Sequence, residues 1–553
     1  MRMVSPRSAA RALLLLGALL LSVACDREQI PLPEGPGDWI LVDLHHTRLQ
    51  NPVDHRLTKG NYRYQGVHGF SRLFDHLKAN GYPWNHFRKV RITAEGLKGY
   101  KILFINLLHK ERPDFTADEI AAIHAFVKAG GGLFMIVDHS NVYHHAERAN
   151  RLLIPMGIEV TYHTAVDYGR SSVSGTGWVA ITHHNTKHPI NDNIKLVSFQ
   201  TGGTLKSEHW TSTLSDQGLS DYWDEKTDGF YGNWTYDNDP AREPRGRVPV
   251  IAAAKYGEGR VVVVGDQNIY GDTWLGFADN MPHALNAFEW LAGNEAAQPR
   301  LRERPTGLIP FSVDIHFAER SVGRAGDEDY YGMFVHMNRD PQVFARAVDD
   351  LYDAERALIL PSPARPFTPA ALIAIRKKLE DGERVVLLME PDRMSQPTAE
   401  LLHALAPDFE LTAGGTSVLF DGKPAQIARQ VRGLKHVKLD GARPISSKRL
   451  KLTDATIASL GPSANDAPGS PYLWQVTSDW GEPLVEVGGS PRVDIARAKA
   501  IGKGELIVFV QDGFWRNRTM GKKETQEPHK DGHPARALLY DLMDYLKTPL
   551  PVR

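Results

Sequence analysis

GYKILFINLLHKERPDFTADEIAAIHAFVKAGGGLFMIVDH (residues 99–139) decides the fold class. It opens on a short apolar run that ends in polar Asn106 and His109, the pattern of a strand buried on both faces. Thr116 then precedes a helical stretch with Glu119 three positions on, so Thr116 is the expected N-cap and Glu119 completes a capping box. Gly130, Gly131 and Gly132 end that helix, and a second apolar strand, LFMIVDHS, follows. Strand, helix and strand, with both strands apolar throughout, predict a parallel sheet covered by helices.

The alternation continues outward. WILVDLHHTRLQ (39–50) reads as a first buried strand and GFSRLFDHLKANGY (69–82) as an amphipathic helix. AERANRLLIPMG (146–157) is a further helix, and VPVIAAAKYGEGRVVVVGDQN (248–268) is a pair of strands turning at Gly257-Glu258-Gly259. HALNAFEWLAG (283–293) closes the unit. From residue 307 the pattern recurs. Val313-Asp314-Ile315-His316 matches Val42-Asp43-Leu44-His45, residues 354–391 follow 99–139 element for element, and GKGELIVFVQD (502–512) follows GEGRVVVVGD (257–266). The expected organisation is therefore two tandem α/β domains, 38–296 with an insertion at about 161–245, and 305–550 as a degenerate second copy.

Net charge is −1 with 24% charged residues well mixed, which points away from nucleic acid. The single cysteine, Cys25, ends an apolar run (Leu13–Val23) behind Arg2, Arg7 and Arg11. That leader resembles a bacterial lipoprotein signal peptide (1–24), which implies acylation of Cys25, a membrane anchor made of lipid, and a periplasmic tether at 25–37. An ordinary signal peptide is the other reading. Asp26 resembles the signal that keeps such proteins at the inner membrane. No thiol then remains for a disulfide, a cysteine zinc site or a cysteine nucleophile.

Strand 1 ending in Asp43, the helix running into Gly130–Gly132 and the GEGRVVVVGD strand together resemble the class I glutamine amidotransferase-like superfamily. The closer resemblance is to its ThuA-like group and to GldG-type domains associated with ABC transport systems. It covers 39–293 well and 307–547 more weakly. It implies flavodoxin-like, three-layer domains with largely parallel sheets, and a transporter or other envelope complex as partner. True amidotransferases carry a cysteine after the strand that here reads Val137-Asp138-His139-Ser140, so glutaminase chemistry is excluded. Ser140 is a poor substitute: side chains adjacent on extended backbone point apart, and DHSNV lacks the glycines of a nucleophile elbow.

Ligands of parallel sheets bind beyond the carboxyl ends of the strands. The groups placed there are Asp43, His45 and His46 from strand 1, Asn106 and His109 from strand 2, Asp138 and His139 from strand 3, and Asp266 and Asn268 from the late strand. Asp43, His45, His139 and His144 have the ligand chemistry of a divalent transition metal. The alternative is structural: an aspartate at a strand end caps the following turn, and Asp-x-His in both copies marks a shared hydrogen bond at the sheet end. If the groups form one crevice, Asp43 and Asp266 lie within a side chain's reach of His139. DYWDEKTDGFYGNWTYDNDP (221–240) is an aromatic and acidic loop whose Trp223, Tyr231 and Trp234 would stack on sugars as a lid. Its bland reading is a hairpin packed on the domain.

The expected function is a non-catalytic, membrane-anchored envelope lipoprotein that binds a small polar or sugar-like ligand, a carbohydrate among them, or a transport partner. The alternative is a metal-dependent hydrolase of a carbohydrate or envelope substrate acting through the first-domain Asp/His set.

Overall fold

The computed structural model describes residues 29–550 apart from 48–52, 54, 64–67, 170–177, 231, 234, 238, 295–306, 320, 390–393, 410, 415–449, 453–472, 477–479, 488–492, 511, 524 and 529–532. Residues 1–28 with Cys25 and Asp26, residues 295–306, and Tyr231 and Trp234 of the expected lid lie outside the described residues.

In chain order the first half contains β1 (Ile40–Asp43), α1 (Ser71–Ala79), β2 (Trp84–Phe87), β3 (Ile102–Asn106), α2 (Ala117–Lys128), β4 (Gly132–Ile136), α3 (His145–Leu153) and β5 (Glu159–Asp167). There follow β6 (Trp178–Ile181), β7 (His183–His184), β8 (Val197–Gln200), β9 (Gly203–Lys206), β10 (Trp210–Thr213), β11 (Gly218–Tyr222), β12 (Pro249–Tyr256), β13 (Gly259–Val264) and α4 (Asn280–Leu291). Eight strands form one sheet in the order β2-β1-β3-β4-β13-β12-β10-β7. The first five are parallel and the last three antiparallel. Alternation along each strand divides the core. Val42, Phe104 and Ile136 pack with residues of α1 and α4, while Leu41, Ile105 and Met135 pack with those of α2 and α3. The capping box forms as expected, with Thr116 accepting from Glu119 N and the Glu119 carboxylate accepting from Thr116 N.

The second half contains β14 (Ile309–Asp314), α5 (Tyr331–Met337), β15 (Val343–Val348), β16 (Ala357–Pro361), α6 (Pro369–Glu380), β17 (Arg384–Leu388), α7 (Gln396–Leu405), β18 (Leu411–Gly414), β19 (Leu450–Leu452), β20 (Leu473–Val476), β21 (Glu482–Val487), β22 (Val493–Ile501), β23 (Gly504–Phe509), α8 (Asn517–Met520) and α9 (His533–Lys547). Its main sheet, β15-β14-β16-β17-β23-β22-β21-β19, has the strand order of the first, again with five parallel strands followed by antiparallel β22. The fold is thus α/β with two largely parallel sheets. Gly259 explains the shared Gly-x-Gly: a Cβ there would lie 2.0 Å from Val127 O, because the β12–β13 hairpin turns against the end of α2. Gly504 meets Leu379 O at 2.5 Å in the same way.

Residues 161–245 do more than fill an insertion. β7 and β10 extend the first sheet past β12, covering an edge that would otherwise leave backbone groups unpaired. β11-β5-β9 forms a separate antiparallel sheet, and β6 pairs with β8. The two halves pack on each other through Trp274 and Phe277 against Tyr331 and Phe334. Gly276 O and Ala278 N bond Ala347 on the edge strand β15. No described helix is long and apolar enough to cross a membrane.

Candidate functional site

The carboxyl end of β1 is closed by its own residues. Asp43 Oδ1 accepts from the backbone N–H of His45 (2.8 Å) and His46 (3.0 Å), and Oδ2 lies 2.8 Å from His46 Nδ1. His46 Nε2 faces Glu119 Oε1 at 3.2 Å, so a buried imidazole bridges two buried carboxylates. Phe115 covers its ring at 4.2 Å. Burial pulls the His46 pKa down, but Asp43 and then Glu119 outweigh it and the net shift is upward. Burial pushes Glu119 up, yet its bonds from Thr116 and Ile92, with His46, leave it below its ordinary value. The trio is an ionic tie between strand, loop and helix, with its oxygens turned inward. Asp314 repeats the loop cap, accepting from the N–H groups of His316, Phe317 and Ala318, so Asp-x-His recurs because the loop after the first strand needs that acceptor.

Asp266 belongs to a different cluster. Its carboxylate accepts from Gln200 N (2.5 Å) and Asn268 N (2.7 Å), and burial pushes its pKa up to about 6. β3 and β4 separate β1 from β13, three strand spacings or roughly 14 Å. Asp43 joins Glu119 of α2, on one face of the sheet; Asp266 joins β8, which packs on the other. Asp43 and Asp266 thus enter separate hydrogen-bonded clusters, each closed by its own partners.

Between them the β4 end is tightly folded. Ser140, Tyr143 and His144 all have positive φ (50°, 57° and 58°), a strained run for residues other than glycine. This corrects the expectation that His139 and Ser140 point apart: His139 Nδ1 lies 2.9 Å from Ser140 Oγ, and that hydroxyl donates to His139 O (2.7 Å). The pair still makes a poor nucleophile and base. Burial, with His145 second, pushes His139 down to about 3, so its imidazole would not hold a serine proton near neutral pH. His145, beside it, is locked in one tautomer: Nε2 accepts from Asp138 N, so Nδ1 carries the proton donated to Val142 O. Of the expected lid, Trp223 bonds Gly229 O within its own loop, and it is Phe230 that lies over His139, with Tyr143 and His109 stacked behind.

The four expected metal ligands do not converge. Asp43 is taken up by its loop and His46, His45 Nδ1 lies 2.8 Å from Arg88 O, and His144 Nδ1 lies 2.8 Å from Glu147 at the surface. Among the described residues, no group of three or more His, Cys, Asp or Glu side chains is placed to hold a metal ion.

A sizeable cavity among the described residues lies away from these groups. A groove of about 1050 Å³ opens between the turn after α3 and the β11-β5-β9 sheet, lined among others by Tyr162, His163, Ser220, Tyr222, Arg242 and Arg245. Its floor is a chain of hydroxyls. Thr161 Oγ1 donates to Thr204 O (2.9 Å) and therefore accepts from Thr204 Oγ1 (2.7 Å). Thr204 in turn accepts from Ser220 Oγ (2.6 Å), and Ser220 accepts from His163 Nδ1 (2.6 Å). His163 is thus the Nδ1–H tautomer, and its Nε2 lone pair is the ring's remaining polar site. Burial, with Arg242 second, pushes its pKa down to about 4, so it stays a neutral acceptor. The β5 backbone links groove and rim, since Ser140 N donates to His163 O. The sequence signal for this groove was AREPRGR (241–247), three arginines in seven residues beside the aromatic loop; His163, inside an ordinary strand pattern, gave none.

No family model matches the chain, and no curated protein matches it in sequence. Among solved structures, the mmIFT52 N-terminal domain is 17% identical with a TM-score of 0.34, covering 46% of this chain and 97% of that one. A ThuA-like protein from Bacteroides uniformis is 13% identical with a TM-score of 0.29, covering 49% and 98%. The cold-adapted β-galactosidase from Rahnella sp. R3 is 13% identical with a TM-score of 0.27, covering 52% and 36%. ThuA-like proteins are thus among the structural neighbours, but TM-scores this low leave the site to be judged by its own geometry.

Proposed function

We propose that this chain is a non-catalytic binding protein of the bacterial cell envelope, held to the membrane by lipid on Cys25 and built as a tandem repeat of one amidotransferase-like α/β unit. The first copy takes a small polar, sugar-like ligand in the groove of the β11-β5-β9 sheet. The second copy, whose Asp512 is enclosed by Arg516 and Tyr330, serves as the surface toward a transport or other envelope partner. The observation that carries the reading is the groove itself: two tyrosines, three arginines and an imidazole acceptor line it, while the rim residues are engaged with one another. The alternative, a metal-dependent hydrolase, needs Asp43, His45, His139 and His144 to share one ion, and no described group of three such side chains is placed to do so.

Two measurements test this. Mass spectrometry of the membrane-extracted protein should find Cys25 acylated and first in the chain; a retained, unmodified leader removes the anchor. A glycan array probed with the full chain in detergent should give hits that Tyr222→Ala loses at least tenfold. Hits indifferent to Tyr222→Ala move the site elsewhere.

A further inference from the structure

We infer that the groove selects an acidic saccharide, one bearing a sugar-ring carboxylate; this rests on the binding reading above and narrows it. Six charged side chains line the groove, cationic Lys206, Arg242, Arg245 and Arg247 and anionic Glu159 and Glu208. Two cations are already engaged: Lys206 lies 3.4 Å from Glu159, and Arg247 makes a two-point pair with Asp216 (2.7 and 3.3 Å). Arg242 and Arg245 are held differently. The Arg242 guanidinium lies over the Tyr222 ring at 4.0 Å and Arg245 over Tyr236 at 4.7 Å. Arg242 also hydrogen-bonds Tyr222, which leaves its further N–H groups for other acceptors, and a guanidinium fork matches a carboxylate at two points.

The one acid between them in sequence does not neutralise them. Glu243 is buried, and its oxygens accept from Tyr222 N (3.3 Å) and Asp237 N (2.6 Å). The same turn thus sends a carboxylate inward to tie β11 and two cations outward to the groove. Across from them, His163 offers Nε2 as an acceptor to a ligand hydroxyl, and the exposed Tyr162 supplies a ring face. Carboxylate fork, hydroxyl acceptor and aromatic face are the three contacts an acidic sugar ring needs and a neutral one does not fully use.

Trigalacturonate and its methyl ester separate charge from ring, because esterification removes the anions and keeps the hydroxyls. Calorimetric titration of the full chain in detergent should show trigalacturonate bound at least tenfold more tightly than the ester, with the difference shrinking as salt is raised. Arg242→Met with Arg245→Met should abolish that preference, whereas Arg247→Met, whose cation is paired with Asp216, should keep it. Equal binding of acid and ester overturns the acidic-ligand inference and leaves the groove reading intact. Binding of neither overturns it too, and the array hits with Tyr222→Ala then decide the groove reading separately. Preference for the acid that survives the double variant places the carboxylate site outside this groove and overturns the inference.

Discussion

Arg72→Met should lower global stability by about 3–5 kcal/mol, the usual cost of breaking a buried charged network. Arg72 sits in the first turn of α1 and is buried, yet its guanidinium leaves the first half altogether. It donates to Asn338 Oδ1 (2.8 Å), Asn338 O (2.6 Å) and Asp340 O (3.0 Å) in the turn after α5. Burial pulls its pKa down, with Asp272 and then Asp340 opposing. Methionine fills the volume but takes the donor from Asn338 O and the cation from beside Asp272 and Asp340, while Asn338 Oδ1 keeps Ala345 N and Asp340 O keeps Val343 N. Because those acceptors belong to the second half, calorimetry should also show the single unfolding transition broadening or splitting. An unchanged transition would mean that the aromatic contact around Trp274 and the backbone bonds to Ala347 hold the halves together without Arg72.

His46→Leu carries the second large effect, again about 3–5 kcal/mol, because it removes the imidazole between two buried carboxylates and takes its partner from Asp43 Oδ2, while Glu119 keeps Arg91, Ile92 and Thr116. Its pH dependence has a defined sign. The folded pKa of His46 lies above its ordinary 6.5, so its contribution is complete below that value and is lost as pH rises through the raised one. Glu119 lies below its ordinary 4.5, so its contribution is present above that value and is lost as pH falls through the lowered one. Chemical denaturation should therefore find the gap between wild type and His46→Leu widest between pH 4.5 and 6.5. A gap that is flat from pH 4 to pH 9 would show that His46 contributes by packing on Phe115 and not by charge.

The strand-and-helix alternation and both sheets were legible because buried parallel strands are written as unbroken apolar runs, and Thr116, Glu119 and the glycines punctuate them locally. The recurrence of Val-Asp-x-His and Gly-x-Gly anticipated the common strand order for the same reason, since both motifs act within a few residues of themselves. Glu119 shows the limit. It was recognisable as a capping-box residue, but not as the second carboxylate of His46, 73 positions away in the chain.

The sequence by itself determined the α/β class, the repeated pattern and the set of polar residues at the strand ends. Only the tertiary structure decided what those residues do. Asp43 met His46, which reaches Glu119, Asp266 met the β8 backbone, the positive-φ turn at Ser140 put its hydroxyl on His139, and Arg72 crossed into the other half. Apart from the arginines of AREPRGR, the groove was not legible in the sequence, because its walls come from α3, β5, β9, β11 and residues 241–249. Local patterns encode which side chains are buried; which of them meet depends on contacts between segments far apart in the chain.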